Sequence, residues 1–166
     1  MQTPLNSILR QAVRKSTDKL NILTCPTHEN FESNLALTGH NFYAILGEGI
    51  KPGWDDRSRK KPDNYHILES IPSWLEFDVC LAQQIFGQVQ LLQPISKQLH
   101  LPLIRLEHTD RMNWWNENQF QSLSSMRGDI NVFISKYSQK RWEFDDSNSL
   151  VINHGVNTDI FKPADK

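Results

Sequence analysis

The sequence predicts an α/β domain built on a parallel twisted sheet of about seven strands with helices on both faces. Short apolar runs alternate with longer amphipathic ones along the chain. That β/α alternation, with no internal repeat or low-complexity tract, is the pattern of a parallel sheet covered on both sides. The length, 166 residues, suffices for one domain that buries roughly 70% of its unfolded surface without a disulfide or metal staple.

Each element has its own signal. Residues 1–19 form an N-terminal extension carrying Arg10, Arg14, Lys15 and Lys19, with no apolar core of signal-peptide length. Leu20–Thr24 is a strand stopped by Pro26. A helix starts near Thr27, where Glu29 and Glu32 complement its dipole and Phe31, Leu35 and Thr38 share a face. Gly39 suits the left-handed residue that ends a helix, and His40–Ile45 follows as a strand rich in aromatic and branched side chains. Residues 46–64, with their glycines, prolines and charges, read as a long loop. Tyr65–Leu68 is a short strand and Phe77–Ala82 a better one, running into a helix over Gln83–His100 that is kinked or split at Pro94. Leu101–Leu106 is a strand leading to His108, Thr109 and Asp110. A helix over about Asn116–Met126, a strand over Asp129–Ile134, a Ser135-capped helix to Phe144 and a last strand at Leu150–Ile152 complete the series.

Composition excludes several classes of function. The 18 Lys and Arg balance 19 Asp and Glu, for a net charge of -1, so no global field draws the chain onto nucleic acid or an anionic membrane. No apolar run has the length of a membrane helix, and the expected location is the cytoplasm. Cys25 and Cys80 lie far apart and read as buried thiols in a reduced compartment. Asp55-Asp56 and Asp145-Asp146 are adjacent pairs, not a D-x-D spacing, and the histidines form no ligand cluster, so no metal is expected. A G-x-S-x-G elbow is missing, which removes Ser-His-Asp hydrolysis.

In such sheets ligands bind beyond the carboxyl ends of the strands, which directs attention to Thr24–Glu29, Gly47–Lys61, Glu107–Asp110 and Ser135–Tyr137. Near the end of the chain, Val132-Phe-Ile-Ser-Lys-Tyr-Ser138 is followed by Arg141 and then by Leu150-Val-Ile-Asn-His-Gly-Val-Asn-Thr-Asp-Ile-Phe-Lys-Pro163. This pattern resembles the family-4 glycosyltransferases of the GT-B fold, in which a strand ending in Ser opens a helix and a later strand leads to a Pro-Asn-Gly-Val-Asp turn. His154 stands where that family usually has Asn, and Asn157 where it has Asp. The loop after the first strand, Thr24-Cys25-Pro26-Thr27-His28-Glu29, lacks the glycines many members carry.

The resemblance implies that residues 1–163 are the acceptor-side, Rossmann-like half of a retaining enzyme and that 164–166 begin a linker, with Asn153 and Gly155 at the hinge. The nucleotide-sugar half is absent, the donor is a cosubstrate rather than a cofactor, and the partners are a sugar acceptor and that donor. The residues that neutralise the departing diphosphate belong to the other half, so these 166 residues are expected to transfer sugar poorly or not at all. The rival class is a non-catalytic glycan- or protein-binding module, or one subunit of a split enzyme.

Within that reading His108 resembles the family histidine near the transferred sugar and is the catalytic candidate, against a histidine that ties down its loop. The substrate-binding candidates each have an ordinary alternative. His28 and Glu29 stand at a helix start that favours an anion or merely begins a helix. Asp110 orients His108 or the acceptor, or, standing just before Arg111, serves as a loop cap or ion pair. Ser135 matches the family serine or simply caps, and Lys136 and Arg141 face phosphate or water. Gly47 opens a loop without a G-x-G-x-x-G pattern. Trp114 and Trp115 stack on sugar or, for one of the pair, fill the core. Arg57, Arg59, Lys60 and Lys61 recognise an anionic acceptor or form a solvated loop.

Overall fold

The computed structural model describes residues 2–47, 53–83, 87–145 and 147–155. Seven strands, β1 (Asn21–Thr24), β2 (Asn41–Ile45), β3 (Tyr65–Leu68), β4 (Val79–Ala82), β5 (Leu103–Glu107), β6 (Ile130–Phe133) and β7 (Ser149–Val151), form one sheet in the order β3-β2-β1-β4-β5-β6-β7. Every neighbouring pair is parallel. The strand order reverses between β1 and β4, which is the Rossmann-like arrangement and places its crevice at the carboxyl ends of those strands.

Period-two alternation divides the sheet's side chains between two cores. Leu23, Cys80, Ala82 and Leu103 pack under Val89 and Leu92 of α3 (Gln88–Leu99). Ile22, Phe42, Val79 and Leu81 point the other way, toward Leu35 of α2 (Glu29–Ala36). A third cluster, on the α3 side, joins Phe120 of α4 (Glu117–Ser124) to Phe133, Phe144 and Trp142, which ends α5 (Lys136–Arg141). Cys25 and Cys80 are free and buried, and burial pushes both thiols up to about 12, so neither is a nucleophile at neutral pH.

Several boundaries differ from the sequence reading; the helix expected from Gln83 begins at Gln88, and the strand expected from Phe77 begins at Val79. The helix expected to be kinked or split at Pro94 is not split: α3 runs unbroken through the proline, with Val89, Leu92 and Ser96 buried on either side of it. The last helix stops at Arg141 rather than Phe144. Glu143 adopts φ 58°, and the Phe144 amide turns back to the Gln139 carbonyl, which sends Phe144 into the core. The extension contains α1 (Pro4–Val13), capped by Thr3, whose hydroxyl accepts from the Asn6 amide at 3.2 Å. Polar groups dock this helix. The Gln2 amide donates to the Phe77 carbonyl and accepts from its amide, and Arg10 and Arg14 both pair with the buried carboxylate of Asp78.

Gly128 sits where the turn before β6 crosses β5. A Cβ there would stand 2.6 Å from the Leu103 carbonyl and 2.9 Å from the Arg105 amide nitrogen, both backbone atoms that cannot swing aside. Gly128→Ala is therefore expected to cost roughly 2–3 kcal/mol and several degrees of Tm in a thermal melt. An unchanged Tm would show that β5 yields at this crossing.

Candidate functional site

The site grows from three strand exits. After β5, the buried carboxylate of Glu107 accepts from both the amide and the hydroxyl of Thr109 and lies 3.4 Å from Arg105 Nη2. Arg105 is fully buried against the rings of Trp142 and Phe144, and its Nη1 donates to the Met126 carbonyl. Burial pushes Glu107 above and Arg105 below their ordinary pKa values, and their mutual attraction opposes both shifts. This clasp holds the turn in which His108 stands.

The His108 ring meets Phe31 of α2 edge-on, centroids 4.3 Å apart, and its Nδ1 lies 3.5 Å from Nε2 of His154. His154 belongs to the segment after β7, which is fastened by the Ile152 amide donating to the Phe133 carbonyl. Burial, then the neighbouring His154, lowers the His108 pKa from the ordinary 6.5 to about 4. The imidazole is neutral at physiological pH and acts as a hydrogen-bonding group rather than a cation.

Phe31 and His154 both line an open cavity of about 1140 Å³ on the α2 side of the sheet. Its floor is aliphatic, from Ile22, Leu81, Ile104, Leu106 and Val132, while His28, Asn30, Asn153 and His154 add polar groups at the carboxyl end, Asn34 adds one along α2, and Thr38 and His40 add others before β2. Among the described residues, no Asp, Glu, Lys or Arg lines it. A largely apolar hollow with a few polar groups is the usual form of a small-molecule site.

The remaining sequence candidates fall into distinct places. His28 lines the cavity and caps α2, its Nδ1 accepting from the Asn30 amide at 3.3 Å. Glu29 is buried and accepts from the Asp55 amide at 2.8 Å, tying the long loop to α2. Asn153 and Gly155 line the cavity, and Gly155 has open space around it and no left-handed φ, so the backbone there does not require glycine. Asp110 meets Arg141 at 3.5 Å, and Arg141 also donates to the Arg111 carbonyl, which makes a local clasp rather than a contact to His108. Ser135 caps α5, accepting from the Ser138 amide, and Lys136 is exposed. Trp114 is 77% exposed, whereas Trp115 packs against Trp142. Gly47 follows β2 half-buried, away from the cavity lining, and Arg57 pairs with Asp55. The motif residues Asn157, Asp159, Phe161 and Pro163, and residues 164–166, lie outside the described residues. Among the described residues, no three His, Cys, Asp or Glu side chains gather into a metal-sized cluster, and no helix is long and apolar enough to cross a membrane.

Sequence reasoning treated Glu32 only as a helix-start acid. It is in fact buried where the strand order reverses, accepting from the Thr27 amide and hydroxyl and from the Gln83 side chain at 2.9 Å, with the Tyr65 phenol beside it. A stronger signal was available in its i, i+3 spacing from Glu29, which places two acids on the buried side of one short helix.

Comparisons with protein-family models, curated proteins and solved structures return no match to this chain.

Burial raises Glu32 to about 7 despite its hydrogen bonds. The folded state binds this proton more tightly than the unfolded chain, whose carboxyl titrates near 4.5. Its stabilising contribution is complete below that value and is lost as pH rises through 7, at most roughly 3 kcal/mol. Glu32→Gln should flatten the dependence of Tm on pH between 5 and 8. Parallel wild-type and variant curves would exclude Glu32 as the group responsible.

Proposed function

We propose that this chain is the acceptor-side half of a retaining glycosyltransferase of the GT-B type, which moves a sugar from a nucleotide diphosphate to a hydroxyl. The observation that carries this reading is the contact between His108 and His154. The two stretches that resemble the family, the histidine after β5 and the turn after β7, are far apart in sequence yet meet, His108 touching both His154 and Phe31, two side chains that line one open cavity.

In the reaction, the bond from the anomeric carbon to the leaving phosphate oxygen breaks and a bond to the acceptor oxygen forms. The acceptor proton leaves with the phosphate side, as retention on one face requires. Positive charge develops at the ring carbon and negative charge on the diphosphate. A neutral His108 positions a sugar hydroxyl by hydrogen bonding without adding a repelling cation beside the developing charge. His154 and His28, which line the cavity, flank the acceptor entrance. The groups that neutralise the diphosphate come from a second half, so this reading assigns the chain acceptor binding and only weak donor binding.

The test is an NMR titration of the chain with simple glycosides and, separately, with nucleotide-diphosphate sugars. Glycosides are expected to bind weakly and shift the His154 and Phe31 resonances, and Phe31→Ala to weaken that binding roughly tenfold. Nucleotide sugars should bind more weakly still. If no glycoside perturbs the cavity, or if shifts occur only elsewhere, the assignment fails.

A further inference from the structure

Helix α1 is mounted the opposite way from an ordinary surface helix. Leu5, Ile8, Leu9 and Val13 recur at helical spacing on one stripe, and all are at least half exposed. The inward side is polar: Ser7 is buried beside Gln2, and Arg10 and Arg14 reach Asp78. The domain therefore grips α1 by its hydrogen-bonding groups and holds its aliphatic groups outward.

We propose that this stripe rests on an anionic lipid surface, with α1 lying in the plane of the headgroups. A short amphipathic helix whose polar face looks toward the protein body and whose apolar face looks away has the geometry of an interfacial helix. Charge points to the same partner. Within α1 there is no acidic residue, and the exposed Lys15 and Lys19 follow its end. Of the nearby acids, Asp78 is paired with Arg10 and Arg14 and Glu76 with Arg10, while the exposed Asp18, which accepts from the Lys15 amide, keeps its charge, so Lys15 and Lys19 leave a small local positive excess. Trp74, 77% exposed, lies two residues before Glu76 on the segment that docks α1, and tryptophan favours the membrane–water boundary. The whole-chain charge of -1 supplies no such attraction, so the effect is local and screened by salt.

A second copy of the chain is a poorer occupant. The stripe is one helix wide, about 10 Å, and ten residues long, about 15 Å, a footprint on the order of 150 Å², well short of the roughly 800 Å² per partner that a stable dimer buries. Asp78 precedes β4, so α1 lies toward the amino ends of the strands, opposite the His108 crevice. A lipid contact there leaves the candidate site open to solvent, and substitutions on the stripe leave that site untouched.

The test is co-sedimentation of the chain with vesicles of phosphatidylcholine and phosphatidylglycerol in equal parts. The wild type is expected to bind reversibly and less tightly as salt increases. The combined variant Leu5→Ser, Ile8→Ser, Leu9→Ser should lose binding by roughly tenfold or more, and Lys15→Glu with Lys19→Glu by several-fold at low salt. Both variants should stay folded, the charge variant with the wild-type melt and the serine variant lowered by no more than a few degrees, because its side chains are at least half exposed. No binding by the wild type, or equal binding by the serine variant, overturns the proposal. A dimer that depends on α1 and ignores vesicles overturns it as well.

Discussion

The carboxylate of Glu107 governs the geometry of the candidate site. It is buried with Arg105 as its charged partner, and it receives two hydrogen bonds from Thr109. A buried ion pair of this kind adds little net stability over an apolar pair of similar size, and breaking one partner leaves an expensive bare charge. Its value here is positional. With the residue before and the residue after His108 both fixed, the imidazole can only project toward Phe31 and His154.

The same logic recurs at the reversal of strand order. Glu32 and Glu29 lie on the buried side of α2. Glu32 fastens the turn after β1 and the chain after β4, and Glu29 fastens the long loop at Asp55. Burying two carboxylates in so short a helix works against stability, and the shift of Glu32 toward neutrality records that conflict. Polar groups thus organise the carboxyl ends of the strands, while the middle of the sheet is held by ordinary aliphatic packing. Local conflict of this kind concentrates at functional crevices.

The division of labour explains what the sequence revealed. All seven strands were legible, because their branched and aromatic runs are bounded by Pro26, Gly39 and Gly128 and pack into the sheet as period two requires. His108 and His154 were each visible in their motifs, but nothing in the spacing reveals that residues 46 positions apart approach to 3.5 Å. Phe31 read only as one residue of a helix face, and its contact with His108 depends on the packing of α2 over the sheet. Helix α1 escaped notice because its apolar residues do not serve the core, so burial arguments had nothing to act on. In the structure Ser135 caps α5 and Asp110 pairs with Arg141, local contacts of the kind short polar side chains such as Ser and Asp make.

The central claim is a neutral histidine held between an aromatic ring and a second imidazole at the edge of an apolar hollow. Its most direct test is an NMR titration of each histidine ring in the intact chain. The account predicts a His108 midpoint near 4, rising when His154 is replaced by alanine. A midpoint at or above the ordinary 6.5, indifferent to His154, would mean that His108 is solvated and apart from it, and the site as described would not exist.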